Sequence, residues 1–501
     1  MPLKTINIVN NQAINLNDIP VHDYSLFAEI NLDLMRGNAA RHCVSYFGYL
    51  YNEKIKLICC IADDDEHQIF VSSSVVDEKG VLSSFTAQNP NFEKFEREIH
   101  ENFQVGYSDH PWLKPMRYPF NRANLDERIE NYPFYGVESE ELHEVGVGPV
   151  HAGIIEPGHF RFICNGEQIM HLEIQLGYQH RGIEQLFLQK QKLLERTTLA
   201  ENIAGDTVVG HTTAFVNLWE SLCGYAPDDS LHFARTLALE LERIAIHTGD
   251  LAGVCADIGY QLGNSVFGRL RTPIVNFLQE WGGNRLSKGL IRVGKINFPF
   301  TKEHGERLTA ILIAYEADFF EMTTKLFNLP SALSRMEKTG VVTYNEVFEI
   351  GTVGMSARMS GLNRDIRVSH PHNLYKSINH IPIIKRHGDV YSRVQIRREE
   401  VRQSISYLRG LLEHVPEFRE PENFKSVPLP EKFILSLVEG WRGEICHCAI
   451  TDKSGSLIVY KIKDPSHHNW MALAQSVRNN DISDFPICNK SFNLSYCGHD
   501  L

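Results

Sequence analysis

"SLHFARTLALELERIAIHTGDLAGVCADIG", residues 230–259, is the stretch on which the fold turns. It is one long helical run, apolar on most faces, as a helix at the centre of a bundle would be. "KEHGERLTAILIAYEADFFEMTTKLF" (302–327) and "IRREEVRQSISYLRGLLEHV" (396–415) add two further long helices. The charged run "RREEVRQS" reads as a helix face available to a neighbouring subunit. From Gly182 to Gly224 the pattern is helical as well. Within it, "ENIAGDTVVGH" (201–211) reads as one helical stretch that sets Ala204 and Thr207 a turn apart on one face.

Outward from this bundle the periodicity changes. "GVGPVHAGIIEPGHFRFICNGEQIMHLEI" reads as strand, turn and strand, with Pro157-Gly158 as the turn signal. "GWRGEICHCAITDKSGSLIVYKIKD" reads as a β-hairpin turning at Ser-Gly. On such a strand Cys446 and Cys448 share a face and His447 points the other way. No further metal ligand is apparent near this pair, so a metal site there is not expected. "PSHHNWMALAQSVRNN" is a helix with Pro465 near its first turn, and His467 and His468 read as solvated polar residues. At the other end, "HCVSYFGYLY", "KIKLICCIAD" and "HQIFVSSSVV" are strand-like. "NFEKFEREIHENF" reads as an amphipathic helix with Phe92, Phe95, Ile99 and Phe103 at helical spacing. The polar, irregular "RYPFNRANLDERIENYPFYG" (117–136) is the linker candidate. The expected fold class is an α+β N-terminal domain (1–118), a linker (119–136) and a large, mainly α domain (137–501), a helix bundle with small edge sheets.

The chain has 501 residues, 43% apolar and 22% charged, with a net charge of −12. That charge argues against nucleic acid as a partner. No run of about 18 uncharged apolar residues suggests a membrane span. The first twenty residues lack an apolar signal region, so secretion is not expected. None of the ten cysteines forms a CxxC pair, and a disulfide framework is not expected either. No glycine-rich dinucleotide fingerprint is evident. These features read as a soluble, cytoplasmic, multi-domain protein.

"VGVGPVHAGIIEPGHFRFICNGEQIMHLEIQLGYQHRGIE" (145–184) resembles the start of the large subunit of energy-converting (group 4) NiFe hydrogenases, relatives of the quinone-pocket subunit of respiratory complex I. The resemblance continues through "ELERIAIHTGDLAG" (240–253), "GVVTYNEVFEIGTVGMSARMSGLNRDIRVSHP" (340–371), "GDVYSRVQIRREEVRQS" (388–404) and "EGWRGEICHCAI" (439–450). "EREIHENFQVGYSDHPWLK" (96–114) is similar to complex I's small soluble chain, often fused in front of this subunit. Active hydrogenases read R-x-C-G-x-C-x-x-x-H along the segment matching 202–211. Here Asn202, Ala204, Gly205, Thr207 and His211 stand there. The second cysteine pair, in a D-P-C-x-x-C context, is met by Asn493, Leu494, Ser495 and Gly498, with Cys497 one residue out of phase. The chain ends three residues past Gly498, without the cleaved extension usual in active hydrogenases. The resemblance therefore implies a metal-free member, with no cofactor in this chain. It departs from complex I too, since no tyrosine stands at Ala204-Gly205.

A carboxylate and an imidazole at one turn, Glu156 and His159, suit proton transfer, because both titrate near neutrality when partly buried. The resemblance likens Glu156 to the hydrogenase proton-relay glutamate and His159 to the complex I histidine at the quinone head group. A polar turn exposed to water is the alternative. Asp365 and Arg367 match a loop whose arginine approaches the active cavity; alone, an Asp-x-Arg is most often a surface pair of small effect. His372 follows Pro371 where the family often has tyrosine. His211 reads first as a hydrogen-bonded structural histidine and second as a site residue. The implied partners are a small iron–sulfur subunit with a 4Fe–4S cluster, antiporter-like membrane subunits, and a quinone or another acceptor. The implied location is the inner face of the cell membrane, peripherally bound. The implied function is that of a redox-assembly subunit that couples electron transfer to ion movement, or else of a structural and coupling subunit with no redox substrate.

Overall fold

The helix Asp229–Asp257 runs through the middle of the molecule, which the computed structural model describes over residues 4–151, 155–418 and 426–501. Asp228 starts it by accepting from the Leu231 N–H at 3.0 Å. Around it pack the helices Val208–Leu222, Gln261–Gly282, Val390–Leu412 and Phe485–Phe492, which bury one continuous apolar core. Its buried charges are paired inside that core: Arg235 donates from Nη1 and Nη2 to the two carboxylate oxygens of Glu220 at 2.8 and 2.6 Å. The helix Lys302–Phe327 lies against Gln261–Gly282 on the outside. Among the described residues no helix is long and apolar enough to cross a membrane.

The N-terminal sheet runs Ile6–Ile8, Gln68–Val76, Lys54–Asp63, Arg41–Tyr51 in antiparallel order, with Val21–His22 added in parallel to Gln68–Val76. Strand alternation gives it two apolar faces. One, with Tyr46 and Leu57, packs under the helices Tyr24–Met35 and Glu93–Phe103 together with Phe27, Phe85 and Phe95. The other, with Phe47 and Val71, meets Leu435, Cys446 and Cys448 of a second sheet, ordered Leu457–Lys463, Glu444–Thr451, Lys432–Glu439, Ile14–Asn15. The N-terminal region thus has a core of its own and shares another with the far end of the chain.

Several local expectations change. Residues 201–207 are turns, and the helix begins only at Val208, so Ala204 and Thr207 do not share a helix face. The hairpin turn lies at Gly166, whose φ of +57° suits glycine, between His159–Asn165 and Gln168–Gln175. Pro157-Gly158 belongs instead to the loop that precedes it; residues 152–154 of that stretch lie outside the described residues. The helix Glu93–Phe103 is buried on nearly all sides, because its polar face meets the large region. His467 and His468 are buried, not solvated, wedged against Phe95 at 4.7 and 5.5 Å between ring centroids. In "RREEVRQS", Arg397 and Glu400 are buried within this chain, so this part of the face packs internally.

Candidate functional site

The turn 201–207 closes on the C-terminal stretch 493–501. Arg181 ties them, donating from Nη2 to the carbonyls of Ile203 (2.8 Å) and Cys497 (2.9 Å). A tight loop, Gly440 to Gly443, joins two strands of the second sheet and carries Trp441 and Arg442 at its tip. Gly354 packs onto that loop so closely that a β-carbon there would fall 2.2 Å from the Gly443 Cα. Arg442 then grips Asp206 with both terminal nitrogens, each 2.6 Å from a carboxylate oxygen. It also donates to the Thr207 hydroxyl at 3.0 Å and to the Asn493 carbonyl at 2.5 Å. The Trp441 indole N–H donates to the Asp206 carbonyl at 2.9 Å.

His211 lies one turn into the helix. Its Nε2 is 3.0 Å from Asp464 Oδ2, and its Nδ1 is 3.1 Å from Nε2 of His447, which the strand alternation aims away from Cys446 and Cys448. His447 Nδ1 is in turn 2.8 Å from the Tyr460 hydroxyl. Burial raises the Asp464 pKa, but His211 and Arg442 outweigh it and hold the carboxylate down at about 2. Thr207 leaves the helix without a side-chain cap. Glu242, from the central helix, caps it by accepting from the N–H groups of Val209 (2.7 Å) and Gly210 (3.2 Å). Burial pushes the Glu242 pKa up to about 8 against those two donors.

Glu156 reaches into the same place, accepting from the Tyr496 N–H at 3.3 Å and sharing a hydrogen bond with the Cys497 thiol. Burial first, then the Glu156 charge, push that thiol up to about 11, so it stays protonated at neutral pH. Its sulfur also accepts from the Gly205 N–H and lies 3.5 Å from the Ser495 hydroxyl. Gly205, beside position 204, and Ser495 touch it, Gly498 follows it in the chain, and Thr207 is linked to the same stretch through Arg442. Ala204 offers a methyl group. Thr207 Oγ1 is engaged by Asp206 and Arg442, and Ser495 Oγ accepts from the Gly498 N–H at 2.9 Å. A β-carbon on Gly498 would lie 2.7 Å from Asp464 Cγ, so the carboxylate holds the space a side chain there would need.

Asp365 and Arg367 are not a surface pair; both are buried in an ionic network. Arg367 donates from Nε and Nη2 to the two oxygens of Asp365 at 2.9 and 2.7 Å, and from Nη2 to Glu400 Oε1 at 2.9 Å. Glu400 also accepts from Arg358 Nη2 at 2.8 Å and lies 2.6 Å from His247 Nε2. Burial would raise the pKa of Glu400, but Arg358, Arg243 and Arg367 together hold it well below the carboxylate range. Tyr375 donates to Glu240, and His372 Nε2 accepts from the Glu439 N–H at 3.2 Å. Arg243 joins network and site, because it donates to the carbonyls of Glu439 (3.0 Å) and Gly440 (3.2 Å) at the base of the Arg442 loop.

Glu439 is the exception in this network. Burial, then the Asp365 charge, push its pKa up to about 8 although Arg358 is 3.6 Å away. A carboxyl raised from 4.5 stabilises the fold fully below 4.5, and that contribution is lost as pH rises through about 8. Between pH 7 and 9 the loss is roughly 1.4 kcal/mol, or roughly 1–2 °C in thermal midpoint. Glu439→Gln, which keeps an acceptor for the Ile366 N–H and cannot ionise, should flatten that part of the profile. Thermal melts of both proteins across this range check it.

Of the residues singled out in the sequence, Glu156 and His211 join the turn 201–207. His159 does not. It lies on the face of its strand opposite the buried Phe160, with Nδ1 3.0 Å from the Gly148 carbonyl and its ring against Phe134. Among the described residues no hydrogen bond joins Glu156 to His159. Asp206, Arg442, Asp464 and Glu400 were not readable as site residues. Asp206 and Arg442 are single charges in glycine-bearing stretches and Glu400 and Asp464 sit among other polar residues, while their partners lie tens to hundreds of residues away.

Residues 257–427 match the family described as respiratory-chain NADH dehydrogenase, 49 Kd subunit. The chain is 27% identical to Hydrogenase-4 component G of Escherichia coli, over 80% of this chain and 72% of that one. It is 25% identical to the alpha subunit of the membrane-bound hydrogenase of Pyrococcus furiosus, over 69% of this chain and 84% of that one. With the C/D protein of the NADH-quinone oxidoreductase of Phocaeicola vulgatus it shares 24% identity, over 70% of this chain and 73% of that one. By these matches the chain is a homologue of group 4 hydrogenase large subunits and of the 49 kDa and C/D proteins of NADH-quinone oxidoreductases.

Proposed function

We propose that this chain is the large subunit of a membrane-associated, complex-I-like redox assembly that couples electron transfer to proton or ion movement without a NiFe centre. The observation that carries the reading is the donor set at positions 204, 207, 495 and 498. Nickel and iron of that kind need soft thiolates, and alanine, glycine and two engaged hydroxyls do not fit them. The neighbouring Cys497 is a single thiol, kept protonated by its surroundings. Instead of ligands, the place holds titratable groups: Glu156, Cys497, Asp464, His211 and Glu242. In this reading Glu156 passes protons, and the buried network around Glu400 transmits the change of charge toward partner subunits. Those partners are a small subunit with a 4Fe–4S cluster and antiporter-like membrane subunits, and the acceptor is a quinone or a related molecule.

A second reading, a coupling subunit with no redox substrate of its own, is favoured by one observation: Arg442 ties the turn to the C-terminal stretch by pairing with Asp206 and donating to the Asn493 carbonyl. Elemental analysis of the intact complex tests the metal-free claim. The expected result is no stoichiometric nickel and no hydrogen-dependent dye reduction; about one nickel per chain, the content of an intact centre, would overturn it. A partner small subunit lacking cluster-binding cysteines would decide for the second reading.

A further inference from the structure

A cleft of about 500 Å³ lies between the N-terminal region and the large region, and none of the residues 201–207 lines it. That volume is in the usual range for small-molecule sites. The helix Glu93–Phe103 and the segment 111–116 form one wall; the strand Gln168–Gln175 and the helix Ser466–Ser476 form the other. Apolar side chains, among them Trp112, Met116, Ile174, Ile350 and Met471, alternate with polar and charged ones along its lining.

At one end the polar groups are unusual. Lys94 is 9% exposed and opens on the cleft, yet among the described residues no acceptor lies within hydrogen-bond distance of its ammonium. Its counter-charge is Glu93 Oε2 at 3.6 Å, while the other oxygen of Glu93 accepts from Arg97 at 2.5 Å. The nearby Arg117 is committed to Glu98 at 2.8 Å and to the His499 carbonyl at 2.7 Å. His468, 4% exposed, lines the same end, and its Nε2 has no partner among the described residues. An ammonium with three donors and no acceptor is costly to bury. Glu93 and Glu98 are held by Arg97 and Arg117, so the Lys94 ammonium, with one carboxylate oxygen at 3.6 Å, faces the cleft, which Glu346 and Glu349 also line.

We propose that this cleft binds a small organic anion with a flat apolar body, an aryl carboxylate by class, its carboxylate accepting from Lys94 and His468 and its ring lying along Trp112 and Met471. The carboxylate completes the hydrogen bonding of Lys94 and neutralises its charge. The body replaces water on the apolar walls and on the exposed ring and thioether. Because each wall comes from a different region of the chain, such a ligand would also hold the two regions together.

Calorimetric titration of the full chain with three probes of one shape tests this: 2-naphthoate, neutral 2-naphthol and cationic 2-naphthylmethylamine. One 2-naphthoate should bind per chain, at least about tenfold tighter than 2-naphthol, as one charge-assisted hydrogen bond allows. The amine should not bind. Lys94→Gln should abolish the preference for the anion and leave 2-naphthol within about twofold. Met471→Trp, which fills the cleft without changing charge, should remove binding of both, and it carries the test if the Lys94 variant fails to fold. Equal affinity for naphthoate and naphthol, an unchanged naphthoate affinity in Lys94→Gln or in Met471→Trp, or no binding of any probe would overturn the proposal.

Discussion

Glu400→Gln should cost the fold about 3–5 kcal/mol, the usual penalty for removing one partner of a buried ionic group. The carboxylate is fully buried and is shared by Arg358, Arg367 and His247. Glutamine fills the same volume but brings one acceptor and no charge. Two guanidiniums that donate to it, and Arg243 at 3.7 Å, would then lose their common counter-ion in a buried interior. A drop in thermal midpoint of roughly 3–5 °C should follow. The neighbouring Glu399 is the internal control. Its side chain is 25% exposed and pairs with Arg398 and Arg402 on the surface. Glu399→Gln should change stability by about 1 kcal/mol or less. Similar losses for both variants would mean that Glu400 is not the hub its contacts describe.

Glu156→Gln is expected to lower turnover of the intact complex by about 10²–10⁴-fold, the contribution of a general acid–base group to the step it serves. Glutamine can still accept from the Tyr496 N–H, so assembly should be kept, but it cannot take up a proton at neutral pH. The placement of His159 sets the second half of the experiment. Since it faces away from Glu156 and bonds to the Gly148 carbonyl, His159→Gln should act independently. The two losses should add within about 0.5 kcal/mol. Strong non-additivity would mean that both serve one path. Wild-type turnover in Glu156→Gln, measured on complex of full size, would end the proton-relay role of this residue.

The long helices were legible because their apolar periodicity is local. Lys302–Phe327 has the bounds its sequence implies, and the central helix departs by a residue or two at each end. The edge sheets were legible for the same reason, down to the opposed faces of Cys446 and His447. What failed depended on distant partners. Residues 201–207 carry a helical pattern, yet the donors at the start of the following helix are met by Glu242, 33 residues from Val209. His467 and His468 look polar and solvated until Phe95 is placed against them. The charged face of Glu93–Phe103 looks like a surface until Lys461 of the second sheet pairs with Glu98. In the candidate site, Glu156 and His211 were found by family pattern, while Asp206, Arg442 and Asp464 depend on segments that meet only in the folded chain.

The interlocking of the two ends has a kinetic side. Asn10 donates to the carbonyl of Leu437 and accepts from its N–H, and Ile14 pairs with Phe433. The second sheet therefore cannot complete its outer strand from nearby sequence, and the N-terminal sheet waits for a cover made more than 350 residues later. Such non-local closure raises contact order, and contact order slows folding. During synthesis the face bearing Phe47 and Val71 would remain uncovered for tens of seconds at ordinary elongation rates. Newly made chains should accordingly pass through a long chaperone-dependent interval.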